Sequence, residues 1–149
     1  MPEPARVLVV ANRTAATPGL LDAVRERAAA GDAVFHLVVP AHPHGLHKVV
    51  DPDDDGRDEA QHVLEEALPL LGEAAGADVT GEIGDPEPLA AIQDAVNLGH
   101  FDEIIISTLP RRLSRWLHLD LVSKARGLGL PVRHVEAAEA AAGAPAPAG

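Results

Sequence analysis

Residues Glu103-Ile104-Ile105-Ile106-Ser107-Thr108 contain three consecutive isoleucines. Successive side chains of a strand point to opposite sides of a sheet, so a strand of this kind must be covered on both faces. Val7 to Val10 reads in the same way, as does Val34 to Val39, closed by Pro40. Val79 to Ile83 is shorter and alternates, and Pro131 to Val135 is the last run of this type. Sheets covered twice need a layer of helices above and another below.

The segments between the runs have helical spacing. Thr17-Pro18 reads as an N-cap and first helical residue, Leu20, Leu21, Val24 and Ala28 continue the stripe, and Gly31 fits a C-terminal stop. A second stripe is Val63, Ala67, Leu70, Leu71 and Ala74; Pro69 inside it removes a backbone hydrogen bond and is expected to kink or split the helix. Asp85-Pro86 repeats the cap-and-proline pair ahead of Leu89, Ile92 and Val96, with a stop near Gly99. A last helix, capped by Asp120, is expected to end near Gly127. The order βαβαβαβαβ implies an α/β fold, a parallel sheet of five strands sandwiched by helices, with right-handed crossovers. Residues 1–136 are expected to form the domain; the Ala/Pro/Gly-rich residues 137–149 cannot build a core and are expected to be disordered.

Composition narrows the function. Aromatics are only 2% of a chain that is 46% hydrophobic, so the core must be aliphatic layers. The absence of cysteine excludes disulfides and cysteine metal sites. No run approaches the roughly 18 apolar residues of a membrane span, and Met1-Pro2-Glu3-Pro4 lacks the basic start of a signal peptide. A cytoplasmic location is expected. The formal net charge of -11 argues against nucleic acid and anionic membranes as partners.

Open parallel sheets bind ligands beyond the carboxyl ends of their strands, where strand order reverses. Three strand ends here carry informative residues. Asn12 and Arg13 follow the first, Gly84 and Asp85 the third, and Ser107, Thr108, Arg111 and Arg112 the fourth, with Arg115 and Asp120 beyond.

Over roughly residues 6–136 the chain resembles the universal stress protein family. The resemblance rests on the element order, the turn Gly84-Asp85-Pro86, the segment Phe101-Asp102-Glu103-Ile104-Ile105-Ile106, the stretch Leu113-Ser114-Arg115 and the closing Leu130-Pro131-Val132. It implies a five-stranded Rossmann-like sheet of the adenine nucleotide alpha hydrolase-like type, often in a homodimer paired through the last strand. Nucleotide-binding members carry Gly-x2-Gly-x9-Gly-Ser/Thr after the fourth strand, where glycines let backbone amides approach phosphates. Here the first two glycine positions fall on Ser107 and Pro110, and proline has no amide to donate. Counting on without a gap places Asp120 and Leu121 at the final pair; matching by Leu113-Ser114-Arg115 places Leu119 and Asp120 there. Asn12 stands where the family has an aspartate.

A carboxylate beside a triphosphate is costly: two unit charges 4 Å apart repel by roughly 4 kcal/mol at an effective dielectric of about 20. That is half of a micromolar affinity of about 8 kcal/mol. Arg111, Arg112 and Arg115 oppose it, because guanidinium groups match phosphate bidentately. The same arginines also fit a solvated turn. The resulting expectation is a noncatalytic, stress-associated binding or regulatory module with weak or lost ATP binding. The alternative is a competent ATP or AMP binder that uses the arginine-rich loop. A third reading, a metal-dependent enzyme, would use His42, His44 and His47, with His36 just before. Pro43 and Gly45 favour an irregular loop there, and Asp51-Pro52-Asp53-Asp54-Asp55-Gly56 lacks the final glutamate of a calcium loop, so no metal site is assigned. No serine lies in a Gly-x-Ser-x-Gly context, and no catalytic residue is assigned. His100 reads as a surface residue, and Trp116, the only tryptophan, as a packing residue.

Overall fold

The computed structural model describes residues 4–41, 57–110 and 113–137, the side chain of Arg57 aside. The expected loop of histidines and aspartates, Arg111, Arg112 and the C-terminal tail lie outside the described residues. Among the described residues the order is β1 (Ala5–Val10), α1 (Pro18–Ala30), β2 (Ala33–Pro40), α2 (Arg57–Ala75), β3 (Thr80–Gly84), α3 (Pro88–Gly99), β4 (Glu103–Thr108), α4 (Arg115–His118), α5 (Leu121–Arg126) and β5 (Val132–Glu136).

The strands form one parallel sheet in the order β3-β2-β1-β4-β5. Val9 faces Leu37 on one side and Ile105 on the other, so the three most apolar strands occupy the middle of the sheet. Alternation splits their side chains between two cores. Val7, Val9, Leu37, Val39 and Ile105 pack with Leu20 and Val24 of α1 and Leu64, Ala67 and Leu71 of α2. Leu8, Val10, Val38, Ile104 and Ile106 pack with Ile92 of α3, Leu117 of α4 and Leu121 of α5. The α/β sandwich expected from the apolar runs is what forms.

Local departures have local causes. α3 begins at Pro88 rather than Pro86, because the expected Asp85 cap is used otherwise. Asp85 Oδ1 accepts from the Glu87 amide at 2.8 Å and turns the chain. Glu87 then caps α3, accepting from the Leu89 amide at 3.1 Å. Pro69 does not split α2, which runs unbroken through it. The residue is exposed, so the carbonyl deprived of its partner faces water. Thr17 occupies the N-cap of α1 without a side-chain cap bond; its hydroxyl donates to the Thr14 carbonyl at 2.8 Å. The helix expected from Asp120 to Gly127 forms as α5, with Asp120 at its N-cap position but without a side-chain cap bond and Gly127 at its C-cap; the short α4 precedes it. Ser114 caps α4, accepting from the Leu117 amide at 3.1 Å. At the other end of the sheet, Arg27 of α1 clamps Glu103 with bonds of 2.6 and 3.2 Å. The hydrogen bond to Glu103 raises the Arg27 pKa, against the opposing effect of burial.

Candidate functional site

Strand order reverses between β1 and β4. The chain leaves β1 for α1 on one face and leaves β4 for α4 and α5 on the other. The two connections therefore diverge above the carboxyl ends and leave a crevice between them.

The β1 side is a compact turn. The Ala15 amide donates to the Asn12 carbonyl at 3.1 Å, and the Thr17 amide to the Thr14 carbonyl at 3.1 Å. This directs Thr14 inward, where it is 3% exposed. Ser107, at the end of β4, is 1% exposed. Its hydroxyl donates to Thr14 Oγ1 at 2.8 Å. A pair of buried hydroxyls thus joins the two sides of the crevice at its floor. Ser107 is thereby committed to the protein. The half-buried Asn12 makes no side-chain hydrogen bond among the described residues, so its amide is available at the crevice. Arg13 is turned toward α2, 2.8 Å from Glu59 in the first turn of that helix.

On the β4 side, Thr108 Oγ1 lies 2.8 Å from His134 Nε2 of β5, and the Thr108 carbonyl accepts from the Ala137 amide at 2.8 Å. Pro110 is buried, and its carbonyl accepts from the Leu113 amide at 2.8 Å. Arg115 opens α4 and is exposed. Asp120 is also exposed and has a φ of 60°, in the left-handed region that glycine enters freely. Its side chain makes no cap bond to α5. Of the two ways of counting the glycine pattern, the ungapped one puts the third glycine on this left-handed residue.

The structure brings Asn12, Arg13, Ser107 and Thr108 to one crevice, with Arg115 and Asp120 on the segment that follows. It does not bring Gly84 and Asp85 there. They end the outermost strand, two strand spacings or about 10 Å from β1. Gly84 has a packing reason to be glycine: a Cβ there would stand 2.8 Å from Val38 Cγ1 and 2.9 Å from Ala91 Cβ. Thr14 directly follows the marked Asn12 and Arg13, but only the fold reveals its partner 93 residues away. Two hydroxyl residues just past the two central strands were the available signal.

The remaining marked residues have local roles. His36 stacks on Phe101, with ring centroids 6.0 Å apart, and its nitrogens lie 2.7 Å from Thr80 Oγ1 and 2.7 Å from Glu82 Oε2. Among the described residues no group of three metal-ligating side chains occurs. His100 ends α3 with a φ of 54° and accepts from Arg6 Nε at 2.8 Å. Trp116 packs, half-buried, against the α3 face of the core. No helix among the described residues is long and apolar enough to cross a membrane.

No protein-family profile matches the chain, and no curated protein matches it. Solved structures do. The universal stress protein from Archaeoglobus fulgidus superposes with a TM-score of 0.62 at 19% identity, covering 88% of this chain and 93% of that one. A universal stress protein from the same organism in complex with dAMP gives 0.57 at 19% identity, covering 91% of this chain and 99% of that one. A universal stress protein in complex with cAMP gives 0.59 at 15% identity, over 91% and 100%. With the sheet order and the two helical layers, these superpositions give the chain the universal stress protein fold, a Rossmann-like sheet of the adenine nucleotide alpha hydrolase-like type.

Proposed function

We propose that the chain is a noncatalytic, stress-associated binding or regulatory module, cytoplasmic and homodimeric through β5, that takes adenine nucleotides weakly at the β1–β4 crevice. The observation that carries the reading is the crevice itself, floored by the Thr14–Ser107 pair, in a fold shared with universal stress proteins solved in complex with cAMP and with dAMP. Weakness is supported by three features. Pro110 is buried and offers no amide, the Ser107 hydroxyl is bound to Thr14, and Asp120 holds a carboxylate in the left-handed position. Asn12, Arg13, Thr108, Arg111, Arg112 and Arg115 are the residues proposed to meet a ligand. Gly84 and Asp85 are assigned to the fold.

Isothermal titration with ATP and AMP tests the reading. We expect a dissociation constant near or above about 0.1 mM, or about 5.5 kcal/mol. Arg111→Ala with Arg112→Ala is expected to remove the remaining binding. Micromolar ATP binding by the unmodified chain would favour the competent binder that relies on the arginine-rich loop.

A further inference from the structure

The chain carries 12 Lys and Arg against 23 Asp and Glu. Five of the twelve cations, Arg111, Arg112, Arg115, Lys124 and Arg126, fall in residues 111–126, with Asp120 the sole acid. That stretch is therefore +5 − 1 = +4, and the rest of the chain is +7 − 22 = −15. Among the described residues the two regions also differ in how their charges are neutralised. Arg13, Arg25, Arg27 and Arg133 bind Glu59, Asp22, Glu103 and Glu26, while Arg6 donates to the His100 carbonyl and lies over the Phe101 ring. Arg115, Lys124 and Arg126 are exposed and have no ion-pair partner among the described residues. Attraction to the C-terminal end of α5 accounts for part of the placement of Lys124 and Arg126, but not for Arg115 at the first position of α4. Apolar surface accompanies the charge: Leu113 is 52% exposed and Leu119 41%.

We propose that α4 and α5 form a docking surface for an acidic protein segment that also carries apolar side chains. The carboxylates of such a segment would neutralise Arg115, Lys124 and Arg126, and its apolar residues would cover Leu119 and Leu113. Charge complementarity selects the occupant. A planar anionic membrane or a nucleic acid duplex extends past the patch and meets a remainder of net negative charge. A short segment needs only the patch.

The protein contains its own reporter, since Trp116 of α4 is the only tryptophan and there is no tyrosine. Trp116 emission would be titrated with a synthetic peptide of alternating Glu and Leu, beside a control peptide with Lys in place of Glu. A saturable shift is expected with the acidic peptide alone, fading at about 0.5 M salt, where screening shortens to a few ångströms. Lys124→Glu with Arg126→Glu lies outside the proposed nucleotide site. It is expected to weaken the peptide about tenfold, or about 1.4 kcal/mol, while circular dichroism shows the fold retained and melting falls only modestly, from the two carboxylates placed at the C-terminal end of α5. Equal binding of both peptides, unchanged affinity in the double variant, or a stronger response to phosphatidylglycerol vesicles or duplex DNA would overturn the proposal.

Discussion

At the scale of single residues, Asp120 and Ser107 decide what the crevice can hold. Asp120 sits at a φ of 60°, which disfavours most L side chains. Replacing it by glycine relieves that strain but frees the unfolded chain, so Asp120→Gly is expected to raise stability by no more than about 0.5 kcal/mol. Asp120→Val, branched at Cβ, is expected to lower it by about 1–2 kcal/mol. Urea denaturation of both variants checks the pair, and Asp120→Gly should also tighten ATP. Ser107→Ala removes the donor to the buried Thr14 hydroxyl and is expected to cost about 1–2 kcal/mol. A double-mutant cycle with Thr14→Val measures the coupling, expected at about 1 kcal/mol; a coupling of zero would mean the hydroxyls do not depend on each other. The apolar strands were legible because period and burial are local properties of a sequence. The floor of the site was less so: Ser107 and Thr14 each suit several turns, and only the β1–β4 pairing makes them neighbours. The backbone angle of Asp120 was hidden too, since counting allowed either Leu119 or Asp120 at that place.

At the scale of elements, strand ends and helix starts carry the design. Asp85-Pro86-Glu87-Pro88 places an acidic residue before a proline twice, and N-cap preference alone favours the first copy. The Asp85 turn overrides it, leaving Glu87 to cap α3. Glu87→Ala is therefore expected to cost about 1 kcal/mol of unfolding free energy in a denaturant titration. Gly84→Ala forces a methyl between β3 and α3 and is expected to cost about 1–3 kcal/mol by the same measurement. Stability unchanged by that substitution would show that α3 can shift away from the sheet. The clamp between α1 and β4 behaves differently with pH. Because the Arg27 pKa is raised in the folded state, its contribution is fully present below the ordinary arginine range and is lost only above it. Removing the clamp with Arg27→Met should therefore lower the melting temperature by the same amount at pH 6 and pH 8.

At the scale of the molecule, both edges of the sheet are parallel strands, β3 and β5. β3 is short and bears the exposed Glu82, a charge that discourages pairing. β5 has its neighbour β4 on one side and, among the described residues, no strand on the other. Sedimentation is expected to give a dimer; a monomer independent of concentration would remove β5 pairing from the proposed function. The sheet order also sets a schedule. β2 and β3 can join β1 as soon as they are made, but Val7 finds its other partner only in Glu103. Until that point of synthesis, an apolar strand destined for the centre has one side open, and closing the seam requires a long loop to be drawn in. A chain stalled between β3 and β4 would thus be held as a half-sheet with its most apolar strand on the rim. The crevice proposed to hold the ligand is the same seam, so ligand added during refolding can act only once β1 and β4 have paired, and is expected to slow unfolding rather than to speed folding.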